Sequence, residues 1–221
     1  MANREYHQYC GLARAAEVVG QRWTLLILRD LMVGPRRFSD LAAGLPGIPS
    51  SLLTTRLKEL EADGLAVREA RRGADRSVVY ALTVRGTALM PALDALSLWG
   101  AGELREPREG ETVTEASLVT ALRVAAGAGA PPSRDAVVTV HIGDATAHVL
   151  LRGGTVTAAP GDHPAPDLRL TDGPGFRDLL AGTLTPARAL AEGVVALEGD
   201  PALLDDFAAV FTVPYADQAP A

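Results

Sequence analysis

From Ser50 to Gly64 the chain reads SSLLTTRLKELEADG, and within it Leu53, Leu57 and Leu60 recur at i, i+4 and i+7. That spacing places the leucines on one stripe of an α-helix and Ser51, Thr55 and Lys58 on the opposite side. The outward face is small, hydroxylic and basic, which suits the major groove of a duplex: such side chains meet base edges and phosphates while the leucines hold the helix on a core. Taken alone, the same pattern describes an ordinary amphipathic surface helix. The flanking segments favour the first reading.

Upstream, residues 12–19 predict a helix with Ala15, Ala16 and Val19 on one side and Gly20 as its stop. Residues 23–32 predict a second, apolar on its inner face through Trp23, Leu26, Ile27 and Leu31 and ended by Gly34-Pro35. Arg36 and Arg37 stand just ahead of Phe38-Ser39, where Ser39 is a candidate N-cap for a short third helix carrying Leu41 and Leu45. The turn Pro46-Gly47-Ile48-Pro49 then leads into the opening stretch, giving the layout of a helix-turn-helix. Downstream, residues 65–70 and 78–82 predict two strands. The tip between them, RRGADRS, carries Arg71, Arg72 and Arg76. A basic hairpin directly after a recognition helix is a wing that lies along the backbone or reaches into the minor groove. A charged edge that discourages strand aggregation is the alternative.

Residues 83–103 predict one more helix, with Leu89, Leu93 and Leu96 on one side, Trp99 near its end and a bend at Pro91. An isolated winged core leaves that stripe in water, so it requires a partner surface: a second protomer, or the C-terminal half of its own chain. REPREGETVT then has no apolar periodicity and predicts a linker. Beyond it, residues 114–126 return to a helix with Thr114 as its cap. From Val138 the period becomes two, with strands over 138–142, 145–151, 155–159 and 167–171. Helices at 175–181 and 186–192, a strand at 194–198 and a last helix to Phe211, capped by Asp200 with Pro201 in its first position, complete an α+β pattern.

At 221 residues the chain is long enough for two domains of about 100 residues, each with its own core. The net charge of -6 conceals a division. Residues 1–105 hold 14 Lys+Arg against 11 Asp+Glu, a balance of +3; the remainder holds 7 against 16, or -9. Contact with a polyanion therefore belongs to the first half. No apolar run approaches the roughly 20 residues that span a bilayer, the N-terminus has no leader pattern, and Cys10 is the sole cysteine. A cytoplasmic protein without membrane contact or disulfides is the expectation.

The segments CGLARAAEVVGQRWTLLILRDL, GPRRFSDL, LPGIPSSLLTTRLKELEADGL and VVYALTVRGTALMPALDALSLWG together resemble the HxlR family of winged helix-turn-helix transcription regulators, over residues 10 to about 102. The resemblance implies a MarR-like homodimer whose partner is double-stranded operator DNA, with the helices before and after the winged core forming the dimer interface and repression as the usual outcome. It implies a helix-turn-helix over residues 39–45 and 50–63. Arg37, Ser50, Ser51, Thr54, Thr55 and Lys58 would face DNA, with Arg36 and Ser39 beside them and Arg71, Arg72 and Arg76 at the wing tip. Two departures stand out. Family members have Ser-Pro where this chain has Pro49-Ser50, which moves the helix cap to Ser50. Where members often carry an acidic residue before the tyrosine of the second wing strand, Val79 stands here, a change of packing. Some members look like redox sensors with a cysteine at the place of Cys10. A thiol at a helix N-terminus with Arg14 one turn away could have its thiolate favoured, although a lone cysteine is usually a small hydrophobe.

The stretch FRDLLAGTLTPARALAEGVVALEGDPALLDDFAAVF, with the order of elements over residues 115–213, resembles the sterol carrier protein type 2 fold. This implies a sheet cupped under helices around an apolar cavity lined by Leu179, Leu180, Leu190, Val195, Leu203 and Phe207, which without a cavity would simply be core. The expected architecture is thus α+β: a winged helix domain at 1–105, a linker at 106–114, a sterol-carrier-like domain at 115–213 and a tail at 214–221. Catalysis finds little support. His7, His141, His148 and His163 are scattered, no phosphate loop is present, Gly127 and Gly129 sit among prolines, and Asp162, His163 and Asp167 share a loop without a nucleophile. No metal or cofactor is expected. The function implied is a homodimeric DNA-binding regulator answering to a hydrophobic small molecule. The alternative is a lipid or small-molecule carrier whose winged helix domain serves dimerisation or protein contact.

Overall fold

The computed structural model describes residues 5–71, 77–105, 107–173, 175–213 and 215, and the chain forms two compact units that divide between Leu93 and Asp94. The first contains α1 (Gly11–Val19), α2 (Thr24–Val33), α3 (Phe38–Gly44), α4 (Ser50–Ala62), β1 (Ala66–Ala70), β2 (Val78–Leu82) and α5 (Val84–Thr87), and ends in the first turn of α6 (Met90–Ala101). Its core gathers Ile27, Leu28 and Leu31 of α2, Leu41 and Leu45, the α4 stripe Leu53, Leu57 and Leu60, and Leu65 and Leu93. The α4 leucines are at most 1% exposed, as their periodicity requires. On α2 the buried apolar residues are Ile27, Leu28 and Leu31, with Thr24 and Asp30 buried beside them, whereas Leu26, expected inside, is 41% exposed because it lies about 160° round the helix from Thr24 and about 140° from Leu31.

A left-handed Gly64 (φ +67°) stops α4. The Leu65 N–H turns back to the Leu60 carbonyl at 2.8 Å and the Gly64 N–H to that of Glu61 at 3.0 Å. This reversal delivers the chain into β1, which pairs antiparallel with β2 from Ala66↔Leu82 to Ala70↔Val78. Arg36 forms a bridge to Tyr80, each donating its N–H to the other's carbonyl, so the segment before α3 is stitched to the wing. Val79 is buried, in keeping with a packing role.

The single helix expected over 83–103 is two. Thr83 caps α5, its hydroxyl accepting from the Gly86 N–H and donating to the Gly64 carbonyl. Pro91 is the second residue of α6, where a missing N–H breaks no intrahelical bond, so it begins a helix and does not bend one. Of the predicted stripe, Leu89 and Leu93 reach the core while Leu96 and Trp99 are exposed.

The second unit holds a five-stranded sheet ordered β5-β4-β3-β6-β7, formed by β3 (Ala136–Ile142), β4 (Ala145–Arg152), β5 (Thr155–Pro160), β6 (Leu168–Thr171) and β7 (Ala196–Gly199). All neighbours are antiparallel except β3 and β6, which run parallel. Val138, Val140, Ala147, Val149, Leu168 and Leu170 make one buried face. The helix α7 (Glu115–Ala128), capped by Thr114, packs against β4 and β5. The shorter helices α8 (Phe176–Leu180), α9 (Pro186–Ala191) and α10 (Leu203–Val210) complete this layer, with the Phe207 ring 4.6 Å from Phe211 and 6.3 Å from Phe176. The last helix starts two residues later than expected. Asp200 precedes it in a turn, its carboxylate accepting the Ala202 N–H at 3.0 Å and its carbonyl the Leu203 N–H at 3.1 Å. Within this unit Arg123 of α7 makes two hydrogen bonds to Asp94, at 2.6 and 3.2 Å.

Gly86 is a point of close approach: a Cβ there would stand 2.1 Å from the Leu65 carbonyl oxygen. Gly86→Ala is therefore expected to lose about 1–3 kcal/mol, read from the midpoint of urea unfolding. An unchanged midpoint would show that α5 and the start of β1 do not pack this closely.

Candidate nucleic-acid interface

Burying Leu53, Leu57 and Leu60 leaves Ser50, Ser51, Thr54, Thr55 and Lys58 exposed on the other side of α4. Ser50, Thr54 and Lys58 follow one another at four-residue spacing, a single row ending in a cation. The N-cap position is Pro49, without a side-chain cap, and Ser50 is the first helical residue and not the cap. The threonine hydroxyls point back along the helix: Thr54 Oγ1 donates to the Ser50 carbonyl and Thr55 Oγ1 to that of Ser51, both at 2.9 Å. Arg56, off this face, donates to the Arg22 carbonyl and pairs with Glu59, tying α4 to the turn before α2. In that turn Trp23 takes a positive φ of 77° with the Arg22 guanidinium over its ring.

Arg37 and Ser39 are exposed at the start of α3, but Ser39 is not its cap. Arg37 occupies the cap position, and Asp40 accepts its backbone N–H at 3.1 Å while also taking the Ser39 hydroxyl at 3.2 Å. Arg36 is half-buried. Its charge acts on Asp30, the group that sequence reasoning missed. Asp30 is 2% exposed inside the apolar α2 and receives two hydrogen bonds from Arg29, at 2.7 and 2.8 Å. Burial raises its pKa above the ordinary carboxylate value, and Arg29 and Arg36 only partly oppose this. The Arg-Asp dipeptide within an otherwise apolar helix was the available signal. Asp30 also packs where a side chain on Gly44 would stand, its Oδ2 only 2.8 Å from that Cβ position, so the end of α3 rests against it.

On the wing, Arg71 is exposed and its N–H donates to the Ser77 carbonyl at 2.9 Å, continuing the β1–β2 ladder. Arg72 and Arg76 lie outside the described residues. On the outer side of this unit Tyr6, Tyr9, Leu12, Leu25 and Leu26 are exposed apolar groups.

Cys10 is exposed at the cap position of α1. Arg14, expected to favour its thiolate, instead pairs with Glu17 at 2.8 Å, so that cation is already engaged. In the second unit Leu179, Val195, Leu203 and Phe207 are buried, Leu180 is half-buried and Leu190 is 38% exposed, on the outer side of α9. The scattered histidines partly converge. His148 lies 5.4 Å from His163 between ring centroids, and Asp162 accepts hydrogen bonds from the fully buried Thr139 and from Arg169, which hold its carboxyl below the usual range. With its hydroxyl bonded and sealed from solvent, Thr139 is a structural clasp for the 161–167 loop and not a nucleophile. Among the described residues no group of three or more His, Cys, Asp or Glu is placed to hold a metal ion.

The sequence model of the HxlR-like helix-turn-helix family matches residues 18–108. Similar proteins include the HTH-type transcriptional regulator YodB of Bacillus subtilis, 38% identical over 101 residues that cover 46% of this chain and 88% of that one. A second, the HTH-type regulator YvaP of the same organism, is 37% identical over 86 residues, or 39% of this chain and 80% of its own length. Among solved structures, the redox regulator HypR in its oxidized form is 30% identical, with 43% of this chain and 99% of that chain covered and a TM-score of 0.41.

Asp30 sets a pH dependence of defined sign. Because its folded pKa is raised, the folded protein holds more protons than the unfolded one between the ordinary carboxylate value and the raised one. Its contribution to stability therefore falls as pH rises through that window. Chemical unfolding of wild type and Asp30→Asn across the acid range is expected to show this downward slope in their difference; parallel profiles would refute it.

Proposed function

The chain belongs to the HxlR-like helix-turn-helix family, and from that membership we propose that it is a homodimeric operator-binding transcription regulator, acting as a repressor, whose C-terminal half receives a hydrophobic small molecule. The observation that carries DNA binding is the exposed hydroxylic and basic face of α4, with Arg37 at the start of α3 and Arg71 on the wing also exposed. Ser50, Ser51, Thr54, Thr55 and Lys58 meet base edges and phosphates, Arg37 and Ser39 meet the backbone, and Arg71, Arg72 and Arg76 engage the flanking duplex. Arg36, half-buried just before Arg37, adds its charge to the same face. A helix whose first turn has no side-chain cap leaves backbone N–H groups for a phosphate.

Dimerisation is supported by the apolar residues left in water: Leu12 and Tyr9 around α1, Leu96 and Trp99 on α6. Isolated exposed leucines are unremarkable, but this many on two helices need a cover, and a second copy supplies it with two-fold symmetry that sets the α4 helices about 10 base pairs apart. Residues 1–105 then form the DNA-binding and dimerisation domain and 106–114 a linker. Residues 115–213 are a sterol-carrier-like module, supported by a sheet with one apolar face under helices and by the buried Thr120 hydroxyl, which has no hydrogen-bond partner among the described residues and suits the polar end of a ligand. Leu179, Leu180, Val195, Leu203 and Phe207 are the apolar contacts for it. Such a ligand regulates only through different affinities for the DNA-competent and incompetent forms; about 1–3 kcal/mol of coupling shifts DNA affinity roughly 5- to 150-fold. No described helix is long and apolar enough to cross a membrane, and action on DNA places the protein in the cytoplasm.

Fluorescence anisotropy on duplexes from upstream of its own gene is expected to show binding that weakens steeply with salt. Arg71→Ala with Arg72→Ala should weaken binding to every duplex and reduce the salt slope by about two per protomer, whereas Ser51→Ala should change sequence preference. Trp99→Asp with Leu96→Asp should yield a monomer by sedimentation and lose operator affinity. A wild-type monomer, or binding indifferent to salt, would defeat the proposal and leave the carrier alternative.

A further inference from the structure

We infer that Thr54 and Thr55 read the operator through their methyl groups, selecting thymine and excluding guanine at the positions they meet. This deepens the DNA-binding function proposed above and rests on it. Both side chains are exposed on the recognition face, yet both hydroxyl hydrogens are already donated, to the Ser50 and Ser51 carbonyls one turn back, at 2.9 Å each. A threonine in this state has no proton to give. What it offers a base is the γ-methyl, tied by no hydrogen bond, and the lone pairs of Oγ1.

The major-groove edges sort themselves against that inventory. Guanine presents only acceptors, N7 and O6, so a hydroxyl that can only accept finds no partner there and would leave them desolvated. Thymine carries the one apolar group in the groove, its C5-methyl, which a threonine methyl covers without demanding a proton; its O4 is left to water or to a neighbouring donor. Cytosine and adenine amino groups can donate to Oγ1, so thymine and its partner adenine suit the two threonines together. Lys58 ends the row that begins Ser50, Thr54 and, with three donors and no acceptor, takes the complementary role toward guanine or phosphate. Turning either hydroxyl outward would first break an intrahelical hydrogen bond, so donation to a base is the weaker alternative.

The full-length protein is used to select duplexes from a randomised 30-base-pair library, and each thymine at an enriched position is replaced singly by deoxyuridine, which removes only the methyl. Wild-type binding should weaken about fourfold at a read position, the effect of one buried apolar carbon. Thr54→Ser with Thr55→Ser keeps the hydroxyls and deletes the methyls, and should bind thymine and uracil duplexes alike. Thr54→Val with Thr55→Val keeps a methyl and deletes the hydroxyls, and should still prefer thymine. Thermal melts of the three proteins verify that they are equally folded. Equal binding of thymine and uracil by the wild type, discrimination that survives in the serine variant, or its loss in the valine variant would each overturn the inference. If salt-dependent binding to duplex persists in that case, only the methyl readout fails; if no duplex is enriched and no salt-dependent binding is seen, the DNA-binding function falls with it.

Discussion

The first unit depends on the burial of three leucines. Leu53, Leu57 and Leu60 occupy one side of a 13-residue helix, and sealing them against Ile27, Leu28 and Leu31 leaves α4 no rotational freedom about its own axis. Side chains opposite the stripe are therefore fixed in direction by packing on the stripe itself. A one-residue slip of the helix would turn its outward face by about 100° and carry Thr55 toward the core. Readout chemistry is thus a consequence of core packing, and α4 needs no specialised binding loop to present its polar row.

Around that helix the constraints are polar and local. The left-handed Gly64 turns the chain at the end of α4, the Thr83 hydroxyl holds the Gly64 carbonyl, and the Arg36–Tyr80 bridge binds the segment before α3 to the second wing strand. Each fixes one element of the first unit against another. Asp30 differs in kind, because a carboxylate buried in an apolar helix is unfavourable unless its hydrogen bonds are satisfied. Arg29 offsets part of that cost through two hydrogen bonds to Oδ1, and Oδ2 stands 2.8 Å from where a side chain on Gly44 would begin.

The elements legible in the chain were those whose signal is local. Period-3.6 leucines located α4, the change to period two located the strands of the second unit, and β2 fell where its apolar run lies. What sequence could not resolve was competition between two local rules. Pro91 signals a bend within a helix or the start of a new one, and the capping of α5 by Thr83 decided for the start. Ser39 and Ser50 are both good caps by residue type, yet α3 begins two residues earlier than expected and α4 one, because Asp40 captures the Arg37 N–H and Pro49 already has the extended backbone a cap requires. At the interface, exposure of the α4 hydroxyls followed from the pattern, but their direction did not: whether a threonine donates to its own helix or outward depends on a rotamer. Likewise Arg14 lay one turn from Cys10 in sequence, but its pairing with Glu17 is a matter of side-chain geometry that the sequence does not show.

The charge division has a physical consequence for how the two halves can cooperate. Residues beyond Arg105 carry a balance of -9 against +3 before it, so the second half is repelled by any duplex the first half approaches, within the screening length of about 8–10 Å at physiological salt. Such repulsion is not sequence-selective. It weakens all duplexes together and leaves the ratio of specific to non-specific binding to the short-range contacts of α4. An acidic second half therefore suits a regulator that must leave non-operator DNA readily. Any change that brings that half nearer the duplex, ligand-driven or otherwise, would act through the same repulsion and would lose its effect as salt rises.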